Sequence, residues 1–297
     1  MKCLIWRQHR GQLLWTAVVL LALGVSMVLV THSADRWLSD YHAWQRAMAA
    51  AGCPVPAGGG ADQVIHVDPT CKALLAKFHS DSAQSVFAHK YNFAIVVFEE
   101  GVPLVMVLLG VLLGAPMVAR EMEQRTQLVA WTQSIRRGRW YATKAVAIAA
   151  CLAFAGLIAG VANDRLQVPL TSGGLTTSRW PWFFSMDVTL AAEGVLAFAL
   201  AVALGAWLRR TLPAIGAALV GWLLVFGVTA WAIRNVTPLH QAASDRGVPD
   251  NGWVLGGNNY HAAGQYWPLQ TVYAVALLCI AALLLWSGWR ATRTRGV

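Results

Sequence analysis

Charged residues are scarce in this chain. Only 12% of its 297 residues are Asp, Glu, Lys or Arg, whereas 57% are hydrophobic, and the mean hydropathy is +0.50. A soluble domain carries about 25% charged residues. The composition therefore excludes an ordinary soluble domain and predicts an integral membrane protein.

Acidic residues are the scarcer of the two charge types. The chain has 14 Asp and Glu against 23 Lys and Arg, which gives a net charge of +9. In a membrane protein such an excess usually reports which loops are cytoplasmic. We therefore interpret the basic charge as a signal of orientation, and we expect no nucleic acid among the partners.

Catalytic and nucleotide-binding motifs are also absent from the sequence. Eight His are present, but there is no H-E-x-x-H and no G-x-S-x-G. None of the five Lys follows a Gly, so the chain lacks the G-x-x-x-x-G-K-[ST] loop that holds ATP phosphates. We expect no catalytic residue, metal or cofactor in this chain, and any ATP must bind another polypeptide. An intramembrane enzyme without a familiar motif is a weaker alternative.

Long apolar runs dominate what is present. A helix of roughly 20 residues crosses the 30 Å hydrocarbon core of a bilayer, and a helix satisfies its own backbone hydrogen bonds in lipid. The sequence therefore predicts an all-α membrane protein with one transmembrane domain over residues 1–297. The six predicted spans are 13–33, 97–119, 145–163, 187–208, 211–233 and 268–289.

The distribution of Lys and Arg predicts the orientation of these spans. Fourteen of the 23 basic residues fall on one face: three in the first ten residues, six in 120–144, Arg209 and Arg210, and three after residue 289. The positive-inside rule places that face, with both termini, in the cytoplasm. The sequence of residues 1–12 predicts an amphipathic interfacial helix. The loops 35–92 and 234–267 are predicted to lie on the outer face.

The large outer loop 35–92 has its own pattern. Trp37, Tyr41, Trp44 and Met48 recur every three or four residues, which predicts one face of a helix lying on the outer membrane surface and ending near Gly52. Cys53 and Cys71 also fall in this loop, on the oxidising side of the membrane, where they could form a disulfide. The alternative is two unpaired thiols.

The cytoplasmic segment 120–144 is the most patterned part of the chain. It carries two acids, then apolar residues around Trp131, then a cluster of Arg. This pattern indicates a short helix parallel to the membrane. One interpretation is a surface helix held by anionic lipid; the other is a helix that docks into a cytoplasmic partner.

The same residues carry a family resemblance. The stretch GAPMVAREMEQRTQLVAWTQSIRRGRWYATK resembles the loop after the second span of type-two ABC transporter permeases, the exporter-type membrane subunits common in actinobacteria. Residues 199–222, with a tight Leu-Arg-Arg-Thr-Leu-Pro turn, resemble the fourth and fifth spans of these proteins, and residues 266–270 resemble the start of their last span. The resemblance covers nearly the whole chain and is weakest in 35–92.

The resemblance implies a six-helix permease in the bacterial cell membrane. Its partners would be a second permease, either a copy or a homologue, and separate ABC ATPase subunits that bind ATP and magnesium. The loop 120–144 would receive the motion of the ATPase. The coupling residues would be Glu121, Glu123, Arg125, Trp131, Arg136 and Arg137. Arg125 stands where family members often have Gly, which leaves the start of the coupling helix open.

Carboxylates inside apolar runs are the candidates for a substrate pathway. Glu99 and Glu100 interrupt the second run, and Glu193 lies within the fourth. Because a charge at membrane depth is costly, these residues should face the bundle or a cavity. The alternatives are a cap on the second helix for Glu99 and Glu100, and an interhelical hydrogen bond for Glu193. Two G-x-x-x-G pairs, at 110–114 and 156–160, predict close helix packing.

Together these features favour the membrane subunit of an ATP-driven exporter. A membrane immunity or sensor scaffold that binds a ligand through its outer loop, without transport, is the alternative of another class. An associated P-loop ATPase would distinguish the two. The sequence does not indicate which substrate is carried.

Overall fold

Six long helices make up most of the part of the molecule that the structure describes. The computed structural model describes residues 2–53, 69, 71, 73–74, 91–94, 96–123, 137–172, 181–236, 240–241, 253–256 and 259–294. The helices are α1 (Lys2–Ala50), α2 (Val102–Glu123), α3 (Arg137–Ser172), α4 (Asp187–Leu208), α5 (Thr211–Val236) and α6 (Tyr266–Thr294). All six are long and apolar enough to cross a membrane, which confirms the predicted six-helix class.

A small sheet accompanies the helices. Strands β1 (His240–Gln241), β2 (Trp253–Gly256) and β3 (Asn259–His261) pair antiparallel in the order β1-β3-β2. This sheet was not expected within the predicted loop 234–267. Strands of two to four residues are shorter than the usual five or six and leave little alternation in the sequence.

The first helix is longer than the predicted span 13–33. α1 is one helix from Lys2 to Ala50, so the helices predicted at 1–12 and over Trp37–Met48 are continuous with it. The physical reason is the lack of a breaker: no Pro occurs there, and Gly11 costs a helix only about 1 kcal/mol. Gly52, with a φ of +67°, follows its end. At about 74 Å, α1 extends well beyond a bilayer core.

The loop predicted at 120–144 is shorter than expected. The second helix continues to Glu123, and α3 starts at Arg137, eight residues before the predicted span. A π-helical turn, Val97–Gly101, precedes α2. Other predicted ends agree more closely: α4 spans the predicted 187–208, and α5 and α6 begin at 211 and 266.

Helix α4 lies at the centre of the bundle and is buried almost throughout. Its sequence is apolar on every side, as expected for a helix surrounded by others. It contacts α2, α3, α5 and α6, while α1 packs mainly on α3. Outer faces of α1 and α5 remain exposed and apolar, which suits contact with lipid.

Glycines allow the close approach of α2 and α3 to α4. A Cβ added at Gly110 would lie 2.5 Å from the Gly194 carbonyl oxygen and 2.9 Å from the Phe198 nitrogen. A Cβ at Gly160 would overlap the backbone of Asp187. The predicted packing role of both G-x-x-x-G pairs is therefore confirmed.

Pairs of contacts define the direction of the helices. Asp187 meets Tyr266, Glu193 meets Tyr273, and Ala203 meets Gly288, so α4 and α6 run parallel. The ends of α2, α4 and α6 and the starts of α3 and α5 share one end of the bundle. We call this the arginine-rich end; it carries Arg120, Arg139, Arg209, Arg210, Arg290 and Arg293.

Candidate functional site

Glu193 is the most deeply buried carboxylate among the described residues. It has 0% exposure and lies on α4, six residues after the helix begins, or about 9 Å along its axis. The Tyr273 hydroxyl of α6 donates to Glu193 Oε1 at 2.8 Å. Helix α5 also packs on α4, and its Phe226 approaches Tyr273 through the Phe184 ring. Glu193 therefore sits where three helices meet.

A stripe of polar side chains on α6 faces the start of α4. Tyr266, Gln270 and Tyr273 are spaced four and three residues apart and so share one helix face. Gln270 Nε2 donates to the Tyr266 hydroxyl at 2.8 Å. The Tyr266 hydroxyl lies 3.2 Å from Met186 Sδ and 3.4 Å from Asp187 Oδ2. We call Asp187, Glu193, Tyr266, Gln270 and Tyr273 the α4–α6 polar cluster.

Asn163 joins three segments at the same end of the bundle. Its Nδ2 donates to the Phe98 carbonyl at 3.1 Å and to the Ser185 carbonyl at 3.0 Å, and its side chain is fully buried. Phe98 belongs to the π-helical turn, a geometry that disturbs the normal carbonyl pairing of a helix. Asn163 thus links this turn, α3 and the segment before α4.

Glu99 and Glu100 lie on this π-helical turn. Glu99 is half-buried and Glu100 is exposed. Helical residues 91–94 and 96 precede them, and α2 follows them directly from Val102. Both lie toward the end of the bundle opposite the arginine-rich end, as Glu193 does.

Aromatic rings surround the Tyr273 side of the cluster. The Tyr273 ring lies 5.9 Å from Phe183 and 5.6 Å from Phe184, centroid to centroid. Phe184 continues to Phe226 at 4.9 Å, and Phe226 stacks on Trp222 at 5.2 Å. Because Phe226 and Trp222 are half-buried on α5, the rings extend from the buried carboxylate toward the outer face of that helix.

At the arginine-rich end, Glu123 joins two helices that are distant in sequence. Its Oε2 accepts from the Thr211 hydroxyl at 2.8 Å, and its Oε1 accepts from the Thr211 backbone N–H at 3.3 Å. Thr211 is the first residue of α5. Glu123 is the last residue of α2, so its carboxylate caps α5, where a negative charge favours the helix dipole.

The start of α3 is joined to the end of α6. The Tyr141 hydroxyl donates to the Leu285 carbonyl at 2.8 Å, and the Trp289 indole nitrogen lies against Gly138. Lys144 Nζ lies 4.8 Å from the centre of the Trp140 ring. The segment 124–136 is therefore flanked by a contact to α5 on one side and contacts to α6 on the other.

The side chains of most predicted coupling residues lie outside what the structure describes. Arg125, Trp131 and Arg136 fall in 124–136, as does the predicted surface helix. The backbones of Glu121 and Arg137 belong to α2 and α3, but their side chains are not described. Of the predicted set, Glu123 alone has described side-chain contacts.

The far end of α1 carries a separate small cluster. Cys53 and Cys71 form a disulfide with Cα atoms 5.8 Å apart. Trp44 Nε1 donates to the Leu74 carbonyl at 2.7 Å, and Trp44 and Met48 are buried against the disulfide. The predicted aromatic face stacks along the helix, with Tyr41 5.5 Å from Trp37 and 5.6 Å from Trp44. These aromatic residues belong to α1 itself.

A family match follows this architecture. A protein-family model described as "ABC-2 membrane transporter related" matches residues 46–234, more than half of the 297. The chain belongs to this family. An ABC-2 permease is a membrane transport subunit, and the family implies an ABC ATPase partner in general terms. With its six apolar helices, this permease is a multi-pass membrane protein. No curated protein and no solved structure matches the chain.

Sequence reasoning missed several residues of the site: Tyr273, which bonds to Glu193, and Gln270 and Asn163, whose amides bond to a tyrosine hydroxyl and to backbone carbonyls. Thr211, which bonds to Glu123, is the first residue of the predicted span 211–233 and carries no predicted role. A signal existed for two of them: Gln270 and Asn163 are amides in apolar runs and should face the bundle. Tyr273 gave no such signal, because tyrosine is common in apolar segments.

Proposed function

We propose that this ABC-2 permease is the membrane subunit of an ATP-driven exporter in the bacterial cell membrane. It pairs with a second permease, a copy or a homologue, and with separate ATPase subunits that bind ATP and magnesium. The family match to residues 46–234 carries the proposal. The sequence supports it further, because a chain without a phosphate-binding loop needs another polypeptide to hydrolyse ATP.

In this proposal the arginine-rich end is cytoplasmic. Six Arg side chains at the ends of α2, α4 and α6 and the start of α3 support this orientation through the positive-inside rule. Arg290 and Arg293 lie 4.0 Å and 4.7 Å above the rings of Trp286 and Trp289, an arrangement suited to the membrane–water boundary. The amino terminus of α1 and the carboxyl terminus of α6 are then both inside.

The loop 124–136, with Glu121 and Arg137 at its sides, receives the ATPase in this mechanism. Arg125, Trp131 and Arg136 supply the docking side chains. The contacts that flank the loop would transmit its movement beyond α2 and α3. Glu123 leads to the start of α5 through Thr211, and Tyr141 leads to α6 through Leu285.

Movement of α4 against α6 then opens and closes the pathway. Such transitions commonly involve rigid helices that shift against one another. The pathway passes the α4–α6 polar cluster, where Glu193 binds Tyr273, and leaves the bundle near Glu99 and Glu100. Alternating exposure of this cluster to the two membrane faces would carry the substrate outward.

We expect the Glu123–Thr211 contact to be required for coupling. In the complex purified with its ATPase, Glu123→Gln and Thr211→Val should each lower ATP hydrolysis several-fold, because either change weakens the same charge-assisted hydrogen bonds. The ATP hydrolysis rate of the double variant should be no lower than that of the more impaired single variant, because residues that share one contact act non-additively. ATPase rates of the four proteins in lipid nanodiscs measure this.

Thr143→Val is the matched control for this cycle. Thr143 is an exposed threonine at the same end of the bundle, and its hydroxyl bonds only to the Arg139 carbonyl of its own helix at 2.7 Å. This variant should keep the parental ATPase rate. Additive losses from Glu123→Gln and Thr211→Val, or no loss from either, would refute this coupling route.

A further inference from the structure

Several buried acceptor oxygens in the described part of the protein have no hydrogen-bond donor. Four buried side-chain atoms have no hydrogen-bond partner among the described residues, and all four are acceptor oxygens: Asn163 Oδ1, Glu193 Oε2, Gln265 Oε1 and Gln270 Oε1. A buried acceptor without a donor destabilises the fold. The group that would complete this set is therefore one that donates hydrogen bonds.

Two of these oxygens belong to the α4–α6 polar cluster. Gln270 precedes Tyr273 by three residues on one face of α6, and the Tyr273 hydroxyl occupies only Glu193 Oε1. Gln270 Nε2 donates to the Tyr266 hydroxyl and to the Phe183 carbonyl, so Gln270 Oε1 remains available to another donor. The carboxylate and the amide thus each keep one acceptor oxygen without a donor, on facing helices and within about one turn of each other along α6.

The complementary charge is positive, and the surrounding spans do not supply it. The basic residues of the neighbouring helices nearest this end of the bundle, Arg165 of α3 and Arg234 of α5, are exposed, and within the described residues neither is bonded to Glu193. A buried carboxylate needs a paired cation, several donors or a proton, because its charged form is costly away from water. A cation that completes this site must therefore come from outside the helices that form it.

The aromatic rings indicate what else the ligand carries. Phe183 and Phe184 pack on Tyr273, and Phe226 and Trp222 extend the rings toward the face of α5. Rings of this kind bind cations through their faces and bind apolar groups through area burial. They suit a ligand with an apolar body attached to its positive group.

We propose that the α4–α6 polar cluster binds the ammonium group of a lipophilic amine, and that amines of this class are substrates of the exporter. The ammonium N–H groups donate to Glu193 Oε2 and Gln270 Oε1, and the apolar body lies along Phe184, Phe226 and Trp222. The binding site stands on its own geometry, whereas its role in transport rests on the proposed function above.

Equilibrium dialysis of the full chain in lipid nanodiscs tests the site. The probe is a primary naphthylalkylamine, with its uncharged alcohol analogue for comparison and empty nanodiscs for background. The amine should bind saturably, and the alcohol should bind at least about tenfold more weakly because it lacks the charge. Glu193→Gln keeps the side-chain volume and removes the charge, so it should weaken amine binding about tenfold or more.

Two further variants keep the test decisive. Gln270→Met removes the second open acceptor and should weaken the amine several-fold, which covers the case that Glu193→Gln fails to fold. Asp40→Asn, at an exposed acid on the outer part of α1, should leave binding unchanged. Equal binding of amine and alcohol, absence of saturable binding, or unchanged affinity in folded Glu193→Gln and Gln270→Met would overturn the proposal.

The amine-binding test and the ATPase test of the proposed function can fail independently of each other. A complex that hydrolyses ATP and depends on Glu123 but binds no amine would overturn the ligand and leave the exporter standing. Amine binding by a chain that recruits no ATPase would support the site and overturn its role in transport.

Discussion

The contact between Glu193 and Tyr273 is the main polar interaction in the interior of the bundle. It satisfies one oxygen of a carboxylate that is fully removed from solvent. The cost of leaving a buried charged group without its donor exceeds the net gain of an ordinary hydrogen bond. Tyr273 therefore matters to stability more than its single bond suggests.

Tyr273→Phe should destabilise the protein by about 1–3 kcal/mol, because it removes only the hydroxyl and leaves the carboxylate exposed to apolar groups. Thermal unfolding of the purified protein in one detergent measures the change. The control is Thr271→Val, which removes an exposed hydroxyl from the same helix, bonded to its own Trp267 carbonyl. Equal unfolding temperatures for Tyr273→Phe and Thr271→Val would contradict this account.

At the residue scale, the sequence identifies one partner of a buried contact more readily than the other. Glu193 could be selected because a carboxylate in an apolar run must have a reason to be there. Its bond to Tyr273 could not be foreseen, since it depends on the parallel register of α4 and α6 across 80 residues. Glu123 was selected as a coupling residue, but its place as a cap on α5 needed the structure.

Among the helices, α4 is the element on which the others pack. Its contacts with α2 and α3 depend on glycines that let backbones approach closely. The spacing of these glycines was visible in the sequence, and so was their packing role. Which helix they faced was not visible, because G-x-x-x-G carries no information about its partner.

Gly110→Ala should destabilise the α2–α4 contact by about 1–3 kcal/mol, since the added Cβ would meet the Gly194 and Phe198 backbone, which cannot rotate away. Gly227→Ala is the matched control, because a Cβ there meets nothing within 4 Å. Unfolding temperatures of the two variants against the parent measure the difference. A Gly110→Ala protein as stable as Gly227→Ala would show that the helices are not packed this closely.

The continuity of α1 is what sequence reasoning missed in this element. Composition changes at Ala34 from apolar to polar, which suggested a boundary between span and loop. A helix ends where its backbone is interrupted, however, and the first Gly with a left-handed φ is Gly52. Hydropathy therefore located the membrane span, while chain geometry decided how far the helix continued.

For the whole molecule, the placement of charge gives a testable orientation. In a background lacking Cys3, Cys151 and Cys279, a membrane-impermeant maleimide applied to intact cells should label Asp40→Cys on the outer part of α1. It should label Arg210→Cys, at the arginine-rich end, only after the cells are permeabilised. Both residues are exposed, so access to the reagent depends on the membrane side. The reverse labelling pattern would mean that the bundle is inverted.

We propose that this chain receives its energy from a separate ATPase through residues 120–144. The most direct test is purification of the tagged full-length chain from membranes of its native host in mild detergent, followed by identification of bound proteins and measurement of ATP hydrolysis. The account predicts a stoichiometric P-loop ATPase whose binding is lost in Trp131→Ala and retained in Trp231→Ala, an exposed tryptophan of α5. A folded, pure chain with no bound ATPase and no ATP hydrolysis would contradict it.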